Sequence, residues 1–235
     1  MSTNPPIPVA NGLLAALPPE EYKRLLPHLE PVSLKLKQVL YGPRELIGHV
    51  YFLSSGIVSL LTVLKDDASV EVAMVGNEGM VGLAVFQGVG TTPSKAIVQL
   101  AGDAVRMKAE IFIDLVTPGS PLHNLLQRYT YALMAQMAQS IACNRRHCVE
   151  ERCCRWLLMV HDRVKSDEFP LIQEFMAQML GVRRASVTEV FGILQKAGLI
   201  HHSRGMMTIL DRQGLEAGSC ECYRIVKDEF DCLPR

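Results

Sequence analysis

The stretch from Leu171 to Leu210 places the strongest constraint on how this chain can fold. Its pattern predicts a first helix over Leu171–Leu180 and a second helix from Arg183 to Gly198. Gly181 suits the left-handed backbone that ends a helix without a Cβ penalty. The small side chain of Ala177 allows another helix to cross closely. Two helices joined by so short a break form a helix-turn-helix unit.

The second helix begins with a pair of arginines, Arg183 and Arg184, while Val187 and Val190 form its inward face. The positive end of the helix dipole disfavours cations at this position, and an anionic partner would offset that cost. In a helix-turn-helix unit, the N-terminal residues of the second helix reach base edges in the major groove. The alternative, an ordinary helical hairpin inside a core, would rarely expose two arginines here. The candidate contacts with DNA are Arg183, Arg184, Ser186, Thr188 and Glu189.

The segment MLGVRRASVTEVFGILQKAGLIHHSRGMMTILDRQGLE resembles the winged helix-turn-helix of the Crp/Fnr transcription regulators. The resemblance extends back through NRRHCVEERCCRWLLMVHDRV and, more loosely, to about Leu13. It implies an α+β chain with an N-terminal antiparallel, jelly-roll-like β-roll, a long dimerisation helix and a C-terminal winged helix-turn-helix. It also implies a homodimer that binds operator half-sites in double-stranded DNA and contacts RNA polymerase. Arg204 would lie at the tip of the wing.

Within that resemblance, Arg183 and Arg184 would contact guanine or phosphate, and Glu189 would accept from cytosine or orient an arginine. Ser186 and Thr188 would make phosphate or minor base contacts. The family's base-reading glutamate is replaced by Ala185, so the family's consensus operator does not carry over. Ile172 stands where relatives tend to have a capping threonine.

Composition sets the outer limits on function. Lysine plus arginine and aspartate plus glutamate each number 24, so any contact with nucleic acid must come from a local patch. No apolar run is long enough to cross a membrane, and no secretion signal is evident. The seven cysteines all lie at or after Cys143, which is unlike an extracellular disulfide framework. We therefore expect a cytoplasmic protein without a membrane partner.

A loose, Pro-rich leader is expected over residues 1–10. From Val32 to about Lys108, short β-type runs alternate with turn signals such as Lys65-Asp66-Asp67, which predicts an antiparallel barrel or roll. On periodicity alone, a cupin-like enzyme is the alternative. Such an enzyme needs clustered metal ligands, and the histidines of this half are isolated in sequence. We expect no metal, no cofactor and no enzymatic activity.

In the resembling family, the roll binds a cyclic nucleotide through a glutamate and an Arg-Ser pair. The matching positions here are Leu83 and Pro93-Ser94, and the polar pair offered to the base by the long helix becomes Met137-Ala138. A buried phosphate would lack its charge-assisted partner. We expect no response to cyclic AMP; the roll could bind something apolar, contact a protein or bind nothing. The residues of this degenerate effector pocket are Gly82, Leu83, Thr92, Ser94 and Lys95.

Ser120 and Pro121 predict the start of a long helix with an apolar stripe at helical spacing. The stripe could pack on the roll alone, or partly face the helix of a second copy, which the resemblance favours. The dimer-helix candidates are Leu122, Leu126, Tyr129, Leu133 and Met137. The expected divisions are a roll over residues 1–118, the dimerisation helix and hinge over 119–148, and the DNA-binding domain over 149–235.

The cysteines suggest a second function. Cys143, Cys148, Cys153 and Cys154 resemble a cluster, and Cys220-x-Cys222 resembles half of a metal site. Spacings of five residues do not place ligands on one helix face, however, and buried free cysteine is common. Structural cysteines are the expectation, and the alternative function is a redox- or metal-responsive regulator that senses through the first four.

Overall fold

The computed structural model describes residues 10–65 and 68–234. The expected leader, except for Ala10, and two residues of the turn expected at 65–67 lie outside this range. Among the described residues, none of the helices is both long and apolar enough to cross a membrane.

The N-terminal half is a β-roll with short helices at its edges. Its strands are β1 (Glu30–Leu34), β2 (Val39–Tyr41), β3 (His49–Leu53), β4 (Ile57–Val63), β5 (Ser69–Val75), β6 (Met80–Val81), β7 (Ser94–Leu100) and β8 (Gly102–Lys108). Its helices are α1 (Gly12–Ala15), α2 (Pro19–Leu25), α3 (Leu83–Phe86) and α4 (Ala109–Leu115). A short 3₁₀ turn covers Leu26–His28.

The strands form two antiparallel sheets, in the orders β1-β8-β3-β6 and β2-β7-β4-β5. Alternating residues point between the sheets and build one apolar core, which includes Phe52, Val58 and Val98. The predicted antiparallel roll is therefore confirmed. The sequence pattern missed β2 and β6, which are only three and two residues long. Strands this short give too few residues for an alternation to be visible.

A long helix, α5 (Pro121–Arg146), follows the roll and packs along it. The Ser120 hydroxyl accepts from the His123 backbone N–H at 3.2 Å, and Pro121 is the first helical residue, as predicted. The side chain of Gln136 bonds to the backbone of Met74 on β5, with its oxygen 2.8 Å from the Met74 nitrogen. These contacts fix α5 against the roll.

The assignment of the α5 stripe to a dimer interface is wrong. Four of its candidates are at most 3% exposed and belong to the core that α5 shares with the roll: Leu122, Leu126, Tyr129 and Leu133. Met137 is half-buried against the same core. The roll itself covers the leucine-rich face of α5.

The C-terminal half is helical, with one small sheet. Its helices are α6 (Val149–Val164), α7 (Gln173–Leu180), α8 (Arg184–Lys196), α9 (Arg212–Gly218) and α10 (Cys222–Asp231). Its strands are β9 (Glu168–Pro170), β10 (Ile200–Ser203) and β11 (Met206–Ile209), in the order β10-β11-β9. The winged helix-turn-helix is thus present, and with the roll and α5 it gives the predicted α+β architecture. The final two helices and β9 were not predicted.

The two halves pack directly on one another. Roll residues Ile57, Leu61 and Met74 share an apolar core with α6, α7 and α8. Polar bonds cross the same junction: Trp156 donates to Glu71 at 2.9 Å, and Gln178 donates to Ser69 at 2.6 Å. The first helix of the helix-turn-helix is therefore held against β5.

Glu71 makes this junction sensitive to pH. Burial raises the pKa of its carboxyl from 4.5 to about 7, and the Trp156 hydrogen bond and the charges of Arg155 and Arg163 oppose that rise. In the folded protein the group keeps a proton that the unfolded chain releases above pH 4.5, so stability should fall as the pH rises from about 4.5 to about 7. Glu71→Gln should remove this loss and stabilise the protein by up to about 3 kcal/mol above pH 7.

Urea unfolding at pH 5 and pH 8 measures the effect, with the exposed Glu174→Gln as the matched control. The unfolding free energy of wild type should fall more between pH 5 and pH 8 than that of Glu71→Gln. The same fall in both proteins would contradict the prediction.

Candidate nucleic-acid interface

The turn between α7 and α8 has the geometry that the sequence predicts. Gly181 adopts a left-handed backbone with φ +63°, and the Val182 N–H donates to the Ala177 carbonyl at 3.0 Å. This hydrogen bond satisfies a carbonyl that the helix end would otherwise leave unpaired. At the other end of α7, Ile172 occupies the N-cap without a side-chain hydrogen bond. The capping threonine of the resembling family has no equivalent here.

Helix α8 turns its apolar face inward and its polar face to solvent. Val187, Val190 and Phe191 are buried against α6 and α7. The predicted DNA contacts Arg183, Arg184, Thr188 and Glu189 are exposed, and Ser186 is half-buried. All five lie in the first two turns of the helix or at its N-cap, where a recognition helix contacts base edges.

Two residues of α7 contact this surface and were not singled out from the sequence. The Thr188 hydroxyl lies 2.8 Å from Gln173 Oε1 and 3.1 Å from the Arg184 carbonyl. Arg184 Nε lies 4.0 Å from Glu174 Oε2, and both side chains are largely exposed. An ion pair that is this exposed and this long contributes little to the stability of the folded protein. Arg184 can therefore exchange Glu174 for a phosphate or a base.

The wing is a tight hairpin of β10 and β11. Arg204 and Gly205 form its two-residue turn, with φ values of +49° and +77°. Two successive positive φ values match the turn that the twist of a hairpin favours. The Arg204 side chain is exposed at the tip, and β11 also pairs with β9, which supports the hairpin from its other edge.

The sequence of this region matches a known domain. Residues 151–217 match the model of the Crp-like helix-turn-helix domain, which covers α6 through most of α9. Residues 151–217 therefore form a Crp-like helix-turn-helix domain. Domains of this kind bind DNA. The exposed face of α8 therefore belongs to a Crp-like helix-turn-helix domain, in agreement with the resemblance seen in the sequence.

Solved structures extend the similarity to almost the whole chain. A protein from Eubacterium rectale assigned to the Crp/Fnr family aligns with a TM-score of 0.69 at 18% identity, covering 92% of this chain and 99% of its own. FixK2 from Bradyrhizobium japonicum aligns with a TM-score of 0.70 at 16% identity, covering 82% of this chain and 98% of FixK2. A CRP-family transcriptional regulator from Thermus thermophilus aligns with a TM-score of 0.65 at 20% identity. The alignment covers 80% of this chain and 96% of that protein. A search of curated protein sequences finds no significant match.

The chain thus has the fold of these Crp/Fnr-family structures, with a Crp-like helix-turn-helix domain in its C-terminal part. Its roll encloses a cavity of about 370 Å³ against α5, at the position predicted for the effector pocket. Gly82, Leu83, Thr92 and Ser94 line it, together with Met137. Lys95 does not, because neighbouring residues on β7 point to opposite faces and Ser94 faces inward. Assigning Lys95 to the pocket was therefore wrong.

The structure regroups the cysteines. Cys153 and Cys154 are fully buried in the core of the C-terminal half, and Cys148 is exposed. The four-cysteine set proposed from the sequence is not brought together. Cys143 instead lies beside Cys220 and Cys222, and the His147 ring completes the group. The hydrogen bond with Cys220 lowers the pKa of the Cys143 thiol from its ordinary value, against the opposing effect of burial.

A sequence signal for this group existed. Cys143 and His147 are four residues apart, so they share one face of a helix. Cys220-x-Cys222 follows the end of α9. Cys143 and Cys220 are 77 positions apart in the sequence, so the spacing within either segment does not reveal that they meet.

Proposed function

We propose that this protein is a sequence-specific transcription regulator that binds double-stranded DNA as a homodimer. The observation that carries the proposal is the exposed N-terminal end of α8, with Arg183 and Arg184 side by side on a Crp-like domain. Arginine forms bidentate bonds with guanine and charge-assisted bonds with phosphate. Ser186, Thr188 and Glu189 extend this surface along α8, and Arg204 of the wing would contact the DNA backbone.

The exposed face of α5 supports the homodimer. Tyr131, Met134 and Ile141 are 63%, 62% and 71% exposed, and Ala138 lies between them. Their spacing alternates between three and four residues, which is the repeat of a two-helix seam. Exposed apolar residues in such a row indicate a contact surface. A parallel pair of α5 helices would place two copies of α8 so that they read two half-sites.

We also propose that cyclic AMP is not the effector. None of the residues that line the roll cavity in the described part of the chain carries a charge, and Leu83 offers the ribose no acceptor. Losing a charge-assisted phosphate contact costs about 1.5–3 kcal/mol, and losing the ribose contact adds to it. A micromolar site would shift toward the millimolar range. The apolar lining fits a neutral, apolar ligand better.

Calorimetric titration of the protein with cyclic AMP and cyclic GMP should therefore show no micromolar binding. The same preparation, titrated with DNA, provides the control that the protein is folded and active. Micromolar binding of either nucleotide together with a change in DNA affinity would refute this part of the proposal.

The DNA-binding function is tested by selection from a pool of random duplexes with the full chain. Wild type should enrich one sequence motif, and the Arg183→Ala/Arg184→Ala double variant should not. Enrichment of the same motif by both proteins would rule out α8 as the reading element. The proposed role as a regulator also includes contact with RNA polymerase, which transcription from a template carrying the enriched motif measures.

A further inference from the structure

Four potential metal ligands converge where α5 ends and α10 begins. The donor atoms of Cys143, His147, Cys220 and Cys222 all lie within 4.8 Å of one another. The Cys143 and Cys220 sulfurs are 3.6 Å apart, and the Cys222 sulfur is 3.5 Å from His147 Nδ1. The three cysteines are buried and His147 is half-buried. Nothing in the DNA-binding function requires this arrangement.

We propose that these four residues bind one Zn²⁺ ion. Zinc bonds of about 2.3 Å to sulfur and about 2.0–2.1 Å to nitrogen, arranged as a tetrahedron, place ligand atoms roughly 3.6–3.8 Å apart. The distance of 3.6 Å between the Cys143 and Cys220 sulfurs and the distance of 3.5 Å between the Cys222 sulfur and His147 Nδ1 agree with this spacing. Three cysteines and one histidine form a closed ligand set that is typical of structural zinc. An iron–sulfur cluster places several atoms between its ligating sulfurs, so it requires wider spacing.

The backbone presents the ligands from regular elements. Cys143 lies in the last turn of α5 and is buried, while His147 is the C-cap residue of the same helix. Cys220 lies just before α10, and Cys222 is the first residue of α10. The site therefore joins two short segments with little freedom of their own, and no large movement is needed to close it around an ion.

Polar side chains next to the four ligands contact two of them, as side chains around a bound metal usually do. His147 Nδ1 faces Cys222, while its other ring nitrogen, Nε2, lies 3.2 Å from Glu221 Oε2. A carboxylate on the second nitrogen fixes the ring and its tautomer in most histidine–metal sites. Gln139 Nε2 donates to the Cys222 sulfur at 3.1 Å, which stabilises a thiolate.

The surrounding charges also match an anionic centre. Three thiolates and one Zn²⁺ carry a net charge of −1. Arg152 and Arg155 are buried on α6, and among the described residues the Nε atom of each has no hydrogen-bond partner. Both interact electrostatically with Cys143. Burying a guanidinium is costly, and an anionic zinc centre would place a favourable negative charge beside both arginines.

The site would connect the dimer helix to the DNA-binding domain. It links α5 to the segment between α9 and α10, and Arg152 beside it donates to the Leu180 carbonyl at the end of α7. Zinc bound here would hold the helix-turn-helix in a fixed position relative to α5. Metal removal should therefore lower the unfolding temperature of the C-terminal half.

Cobalt substitution tests the site directly on the full chain. Anaerobically purified protein, kept reduced and freed of metal, should bind one Co²⁺ per chain and develop thiolate-to-cobalt charge-transfer bands and strong tetrahedral visible bands. One equivalent of Zn²⁺ should remove these bands. Cys220→Ser should abolish or markedly weaken them, whereas Cys148→Ser, an exposed cysteine next to His147 and outside the group, should leave them unchanged.

His147→Cys provides a positive test that does not depend on losing the fold. This variant should still bind one Co²⁺, with bands shifted toward those of a four-thiolate site. Replacing Glu221 by alanine should weaken Zn²⁺ binding by about 10–100-fold. Reduced, folded wild type without cobalt bands, bands that persist in Cys220→Ser, or a purified protein that carries iron and sulfide instead of zinc would each overturn the proposal.

Discussion

Arg184→Ala should weaken binding to the enriched DNA motif by about 1–3 kcal/mol, which is roughly a 5- to 150-fold loss of affinity. The Arg184 side chain is exposed in the first turn of α8, and its ion pair with Glu174 is long, with 4.0 Å between Nε and Oε2. The variant should also relax the preference for one base of the motif. Fluorescence anisotropy with the motif and its single-base variants measures both effects.

The matched control is Arg224→Ala, which removes an equally exposed arginine from α10, away from the recognition helix. If Arg184 contacts only phosphate, affinity will fall equally for all variants of the motif and the dependence on salt will decrease. Unchanged affinity with unchanged base preference would exclude Arg184 from the interface.

Ile141→Glu should convert the proposed homodimer into monomers. Ile141 is 71% exposed in the single chain, so the substitution leaves the fold of one copy intact. In a parallel pair of helices, equivalent positions of a seam face each other, and two carboxylates would meet in an apolar contact. Sedimentation should show a monomer with normal unfolding, and binding to a two-half-site motif should fall sharply.

Ile113→Glu is the matched control, because Ile113 is an exposed isoleucine on α4. It should remain a dimer. Leu133→Glu is a different case: Leu133 is 3% exposed in the core of one chain, so that variant should unfold rather than dissociate. A stable Ile141→Glu dimer would place the interface elsewhere than on the exposed face of α5.

The helix-turn-helix was the most predictable part of the sequence. Local signals determine it: Gly181 has the left-handed backbone expected of a helix end, and Val187 and Val190 are buried as the spacing indicates. The roll was predictable as a class because its strands alternate in polarity. Its register and its two shortest strands depend on pairings between distant segments, which no local pattern encodes.

The errors on α5 and on the cysteines share one cause, which is contact between distant segments. The α5 helix has two apolar faces, and periodicity cannot show which of them the roll covers. Leu133 was therefore predicted to face a second copy although it is buried, whereas Ile141 on the other apolar face is exposed. The cysteines were judged by spacing within one segment, whereas Cys143 meets Cys220 only through tertiary packing. Chemistry that depends on such packing was beyond the sequence pattern.

A hydroxyl-radical footprint of the full chain on its enriched motif tests the central proposal most directly, when combined with the number of chains bound per duplex. A homodimer with two recognition helices should protect two symmetric half-sites about one helical turn apart, with two chains per duplex. Arg184→Ala should weaken both half-sites equally. Protection of a single half-site by one chain, or uniform protection without sequence preference, would contradict the proposal.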